Sequence, residues 1–208
     1  MKFAFLMYHG VEPIDLAAIG VISMARRVMP ELSCLTVAAT LDLQIFSNGL
    51  RVAPDVTFAQ CPVVDMIIVP GGPGWVQAAE DAAVLDFLRT RSPATPVVSV
   101  CTGAMIMAAA GLLDGLGATT KCEVVAPEVS PLRLLSERYP KIDPVHALLV
   151  DSGAVVTGGG VSLCIDTMLH VLATRVDADK TAEVIRILEY AGAARANRSR
   201  LKVVIGGS

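Results

Sequence analysis

Cys101 ends an apolar, β-branched run, Pro96-Val97-Val98-Ser99-Val100. Thr102-Gly103-Ala104 and an apolar stretch from Met105 to Leu113 follow it. A strand that turns into a helix at its last residue holds that side chain out of the sheet, at a nucleophile elbow. The helix aims backbone N–H groups and the positive end of its dipole at the thiol. That setting lowers a thiol pKa toward the reactive thiolate. Cys101 is therefore expected to be the most nucleophilic of the five cysteines. The plain alternative is a buried structural cysteine at a strand end. Asp15, within Ile14-Asp15-Leu16, is the second candidate. A carboxyl among apolar neighbours has a raised pKa, which suits a general acid beside a thiol; the alternative is a helix-start residue. Gly71 and Gly72 offer backbone N–H groups that, with that of Thr102, can make an oxyanion-type site, or they form a tight turn only. The Thr102 hydroxyl either binds substrate or water, or caps the following helix.

The other reactive types fit these chemistries less well. His9 follows the first apolar run and reads as a solvated loop residue. His146 and His170 fall in a strand and a helix without acids at ligand spacing. Cys122 reads as a small core residue, with a second thiol near Cys101 as the alternative. Trp75 follows the glycine loop and shields the site or a subunit contact. Arg26-Arg27 and the charges from Arg195 to Lys202 read as surface or a loose end. The cysteines are odd in number, with no CxxC or Cys/His spacing, so neither a disulfide framework nor a metal site is expected, and no cofactor is called for.

The elements that must position these residues alternate between strand and helix. Strands are expected over Lys2 to Tyr8, Leu32 to Thr40, Asp65 to Val69 and Pro96 to Val100. Helices are expected over Pro13 to Met29, Asp81 to Arg91, Thr102 to Leu113, Val161 to Thr174 and Asp177 to Tyr190, the last capped by Asp177 or Asp179. Glu123 to Tyr139 carries one or two helices broken at Pro127 and Pro131. Leu41 to Ala53 forms a hairpin through Ser47-Asn48-Gly49, and Val145 to Thr157 another through Asp151-Ser152-Gly153. This alternation is that of an α/β fold, a mostly parallel sheet with helices on both faces. One domain, residues 1–190, is expected, with a C-terminal tail over 191–208 that fits no element. In such a sheet ligands bind beyond the carboxyl ends of the strands. Four loops meet there: His9 to Asp15, Gly71 to Gly74, Cys101-Thr102, and Gly158 to Ser162.

Composition narrows the function. Hydrophobic residues make up 53% and charged residues 18%, and the net charge is −3. Few charges suit a chain that buries surface in a homodimer. No basic cluster fits nucleic acid. No uninterrupted apolar stretch fits a membrane span. Reduced cysteines and a start without signal-peptide architecture point to the cytoplasm.

Several segments in order resemble the ThiJ/PfpI superfamily, whose flavodoxin-like sheet is shared with class I glutamine amidotransferases. They are Asp65-Met66-Ile67-Ile68-Val69-Pro70-Gly71-Gly72, Val100-Cys101-Thr102-Gly103-Ala104, Ala109-Ala110-Gly111-Leu112-Leu113-Asp114-Gly115, Ala118-Thr119-Thr120 and Val156-Thr157-Gly158-Gly159-Gly160 leading to Asp166. The resemblance implies Cys101 as nucleophile, Asp15 as its acidic partner, and Thr102, Gly71, Gly72 and Gly159 as substrate-binding. Cys-Thr-Gly with Pro-Ile-Asp-Leu is similar to two subgroups. One is isocyanide (isonitrile) hydratase, which adds water to R–NC through a cysteine thioimidate to give an N-substituted formamide. The other is the ligand-sensing domain of AraC-type regulators, which carry a helix-turn-helix domain beyond the point where this chain stops. Glyoxalase-type chemistry on α-oxoaldehydes is a further reading. Both subgroups have Ala-Thr-Thr-His-Trp where this chain has Ala118-Thr119-Thr120-Lys121-Cys122. The partner implied is a small molecule, with no nucleic acid for the chain as given.

Overall fold

A computed structural model describes residues 1–206. In chain order it has β1 (Lys2–Leu6), a 3₁₀ turn (Pro13–Leu16), α1 (Ala17–Ala25), β2 (Ser33–Ala38), β3 (Gln44–Ile45), β4 (Arg51–Val52), β5 (Val56–Thr57), β6 (Met66–Val69), α2 (Trp75–Ala78), α3 (Ala82–Arg91) and β7 (Val97–Ser99). Then come α4 (Gly103–Ala109), β8 (Gly117–Ala118), α5 (Pro131–Arg138), β9 (Asp143–Pro144), β10 (Leu149–Asp151), β11 (Val155–Gly158), α6 (Leu163–Arg175), α7 (Ala178–Ile187), α8 (Ala191–Arg200) and β12 (Val203–Ile205).

Eight strands form one sheet in the order β12-β10-β11-β7-β6-β1-β2-β5. The ladders are parallel except β10–β11, so β10 and β12 run against the other six. The central strands β6 and β7 are buried along their whole length, as continuous apolar runs in a doubly covered sheet must be. One helix set packs α1, α6 and α7 together; the other gathers α2, α3 and α5 around α4. The chain leaves β1 toward β2 on one side and returns to β6 on the other. The loops after β1 and β6 therefore part at a topological switch point, where α/β sheets form their ligand crevices.

Local chemistry explains most boundaries. The Asp81 side chain accepts the Ala83 N–H at 2.8 Å and starts α3. Asp177, not Asp179, caps α7 by accepting the Lys180 N–H at 2.9 Å. The expected helix from Pro13 to Met29 is instead a 3₁₀ turn followed by a nine-residue α-helix. Asp15 is turned inward in that 3₁₀ segment. Of Glu123 to Tyr139, only Pro131–Arg138 is helical; Pro127 and Pro131 disfavour helix at the residues before them. The turn expected at Ser47 to Gly49 joins the short hairpin β3–β4.

The residues expected to form a tail are elements. β12 pairs with β10, Leu149 opposite Val203. α8 is tied back by Asp166, whose carboxylate accepts the Tyr190 hydroxyl at 2.7 Å and the Asn197 amide at 2.8 Å. Three β-branched residues, Val203-Val204-Ile205, carried that strand signal. Gly207 and Ser208 lie outside the described residues.

One close approach sets the elbow. A Cβ on Gly103 would strike the carbonyl oxygen of Val69, so the first turn of α4 sits on the end of β6 only because residue 103 has no side chain. Gly103→Ala is expected to destabilise the fold by about 3 kcal/mol, as overpacking against backbone does. Urea unfolding followed by circular dichroism checks this.

Candidate active site

β7 ends at Ser99, and the chain reverses over Val100 and Cys101 into α4. Cys101 takes φ +53, a left-handed conformation that costs a non-glycine residue about 1 kcal/mol. Three contacts hold it there. Its N–H donates to Gly159 O at 3.0 Å, its carbonyl accepts the Thr120 hydroxyl at 2.8 Å, and Val100 N–H donates to Val69 O at 3.0 Å. The side chain is 2% exposed. It lies on a cavity of about 590 Å³ walled by Glu12, Ile14, Gly72, Pro73, Trp75, Thr102, Lys121, Glu128 and Val161. A small organic molecule fits this volume.

Asp15 lies beneath, 1% exposed. Its Oδ2 accepts the Gly71 N–H at 2.7 Å. Its Oδ1 has no partner in hydrogen-bond geometry. Burial pushes the carboxyl up to about 7; the Gly71 N–H opposes the rise, the charge of Glu12 adds to it, and the neighbouring Cys101 thiol opposes it least.

The thiol behaves differently from the sequence expectation. Burial, and then the charge of Asp15, push Cys101 up to about 12. The backbone N–H groups of Val161 and Thr102 and the charge of Lys121 do lower it, as expected at a helix start, but burial outweighs them. The resting pair is therefore a protonated thiol beside a carboxyl that titrates near neutrality. A thiolate here forms most easily by passing its proton to Asp15, because then no second negative charge is buried.

A family model described as the DJ-1/PfpI family matches residues 1–174. The chain belongs to the DJ-1/PfpI family. It is 34% identical over 197 residues to the isonitrile hydratase of Pseudomonas putida, covering 93% of this chain and 80% of that enzyme. It is 28% identical over 146 residues to the HTH-type transcriptional regulator GbdR of Pseudomonas aeruginosa, covering 69% of this chain but only 37% of the regulator. Among solved structures, a THiJ/PfpI family protein from Pseudomonas syringae superposes with a TM-score of 0.78 at 29% identity, covering 91% of this chain and 75% of that one.

Within this DJ-1/PfpI site the residues expected to bind substrate hold one another. The Gly71 N–H is taken by Asp15 and the Gly72 N–H by Thr102 Oγ1 at 2.8 Å. Neither N–H is free for an oxyanion. The Thr102 hydroxyl also donates to Gly72 O at 3.2 Å and makes no helix-capping bond; it ties the elbow to the glycine loop. Gly72, at φ +138 and backed against Glu12 and Gly10, is a turn that only glycine fills. Gly159 holds the Cys101 N–H and lines a neighbouring cavity.

Four further neighbours complete the site. Val161 sits at φ +56, a strained conformation for a β-branched residue that aims its N–H at the thiol. Tyr8 donates to Pro70 O at 2.9 Å, and the charges of Asp15 and Cys101 add to the rise that burial causes in its pKa. The second thiol of the site is Cys164, not Cys122. Burial pushes Cys164 up to about 12, and Asp15 and Cys101 add to it. Lys121 walls the cavity and pairs with Glu128 at 3.1 Å. The loop Gly158 to Ser162 was expected at the site, as Val161 is, but no pattern in the sequence pointed to Cys164.

The histidines His9 and His170 fall outside. His9 Nδ1 accepts the Ile45 N–H at 3.0 Å. His170 has an acidic partner that its spacing hid: its Nε2 lies 2.8 Å from Asp151 Oδ2, and Arg175 shares the same carboxylate. Trp75 lines the cavity with the Arg138 guanidinium stacked 5.5 Å from its ring centroid. No helix among the described residues is long and apolar enough to cross a membrane.

Lys121→Met is expected to slow alkylation of Cys101 by less than about tenfold, since Lys121 is the weakest of the influences on the thiol. Iodoacetamide rates at pH 8, read by peptide mapping, check this. Cys34 is exposed, so it is expected to alkylate alongside or ahead of Cys101 with bulk reagents.

Proposed function

We propose that this DJ-1/PfpI chain is a cysteine-dependent enzyme of isonitrile hydratase type, adding water to a small isocyanide. The observation that carries the reading is the buried Cys101–Asp15 pair, with Cys101 on the wall of a largely apolar cavity. The likeness to an isonitrile hydratase over nearly the whole chain supports it.

The chemistry follows from the proton positions. Asp15 accepts the thiol proton as sulfur attacks the terminal carbon of R–N≡C. Asp15 then returns that proton to the same carbon, giving the thioimidate Cys101–S–CH=N–R. Water adds across C=N, its oxygen going to carbon and its protons to nitrogen and Asp15. The C–S bond breaks, the thiol recovers its proton, and R–NH–CHO leaves. The Thr102 and Val161 N–H groups near sulfur favour the thiolate as it forms.

Incubation with aromatic and aliphatic isocyanides tests this. Formamide release is expected, with a transient mass gain on the Cys101 peptide equal to the whole isocyanide. Likeness to a regulator supports a second reading, a ligand sensor. Saturable ligand binding, seen as a thermal shift with no formamide, would put the sensor first.

A further inference from the structure

Cys122 takes no part in the Cys101 cavity. It stands in the loop after β8, beside Glu123, and faces His146 from the loop after β9. The Cys122 thiol, a Glu123 carboxylate oxygen and a His146 ring nitrogen all lie within 4.8 Å of one another. No hydrogen bond or ion pair among the described residues engages any of the three side chains. Their neighbours in sequence are by contrast well held. The parallel pair β8–β9 places Ala118 opposite Pro144. Val145 N–H donates to Ala118 O at 2.8 Å, and Leu132 N–H to Lys121 O at 3.2 Å. Thr119 is bonded through its N–H to Thr157 Oγ1 and through its hydroxyl to Ala147 O. Two pinned loops thus present three free donors to one point, at the edge of a cavity of about 310 Å³ that also touches Gly160, Leu163 and Arg200.

We propose that Cys122, Glu123 and His146 form a binding site for a borderline-soft divalent cation, Zn²⁺ above all. A thiolate with an imidazole and a carboxylate is a donor set that suits Zn²⁺ and disfavours Mg²⁺ and Ca²⁺. Three protein ligands leave a fourth position, which opens toward the cavity. Ligand separations in a tetrahedral zinc site are roughly 3.3–3.8 Å, from bond lengths of about 2.0–2.3 Å. The side chains close that gap by rotation, which is open to Glu123 and His146 because both are exposed. Binding releases the Cys122 thiol proton to solvent. The site needs no part of the hydration chemistry.

The test uses the full chain stripped of metal. Co²⁺ is the probe for the thiolate, through its sulfur-to-metal charge-transfer absorption. Zn²⁺ affinity is read by competition with a chromogenic chelator. One Zn²⁺ per chain is expected. Cys122→Ser and His146→Ala should each weaken it by about a hundredfold or more, beyond the 10–100-fold that loss of an outer-shell partner costs. Cys101→Ala and Cys34→Ser should leave it unchanged. The proposal is overturned if wild type binds Zn²⁺ no tighter than Cys122→Ser, or if the charge-transfer band survives in Cys122→Ser and vanishes in Cys34→Ser.

Discussion

Cys101→Ala is expected to lower isocyanide hydration by at least about 10⁴-fold, with the fold kept. The size of the loss follows from covalent catalysis. Without sulfur there is no thioimidate, and a carboxyl alone offers only proton transfer, worth about 10²–10⁴-fold. The fold survives because the bonds that shape the elbow come from the Cys101 backbone, through Gly159 and Thr120. Alanine keeps that backbone and meets the same modest strain at φ +53. Cys101→Ser is expected to be equally inactive, since a buried hydroxyl is far harder to ionise than a thiol. Cys164→Ser is the control for the second thiol and should retain turnover. Formamide yield by mass spectrometry and urea midpoints by circular dichroism read both halves. Turnover in Cys101→Ala within tenfold of wild type would remove the nucleophile from the proposal.

The scaffold was legible because its signals are local. Short buried runs such as Met66 to Val69, β-branched and closed by Pro70 and Gly71, read as central strands, and the loop glycines mark where strands end. Cys101 was legible for the same reason: a strand, a reactive residue and small residues are contiguous. The raised pKa of Asp15 was legible from its apolar neighbours, but the electrostatics of the thiol were not. A helix start lowers a thiol pKa, but the depth of burial and the distance to Asp15 are set by residues far apart in sequence, and these decide the outcome. The glycine N–H groups were assigned to substrate for a similar reason. Their type and place were visible, but not that Asp15 and Thr102 already occupy them. The loop that carries Val161 was placed at the strand ends, but Cys164 comes from a helix face whose packing no spacing encodes. The segment beyond residue 190 stayed unplaced because β12 is three residues long and pairs with β10 across a large sequence gap.

Asp15→Asn separates reactivity from catalysis, because its readouts move in opposite directions. Asparagine keeps an oxygen for the Gly71 N–H and offers an amide N–H toward the thiol, so the geometry is retained. It cannot hold the thiol proton and return it. Turnover is expected to fall by about 10²–10⁴-fold, the contribution of a positioned acid–base group. Alkylation of Cys101 at pH 8 is expected to become faster, because the buried carboxylate that opposed the thiolate is gone. Stability gives a third reading. The folded carboxyl titrates near 7 against an ordinary 3.8, so it is raised on folding. Well below pH 4 it is protonated in both states and costs nothing. As pH rises from about 4 to 7 the unfolded chain ionises while the fold resists, and stability falls; above about 7 the loss is complete, up to about 4 kcal/mol. Asparagine carries no such cost. The variant is therefore expected to match wild type near pH 4 and to exceed it in urea resistance at pH 8. A variant with lower turnover, slower alkylation and lower stability at pH 8 would mean that Asp15 only supports the loop. Lower turnover with faster alkylation identifies it as the group that moves the proton.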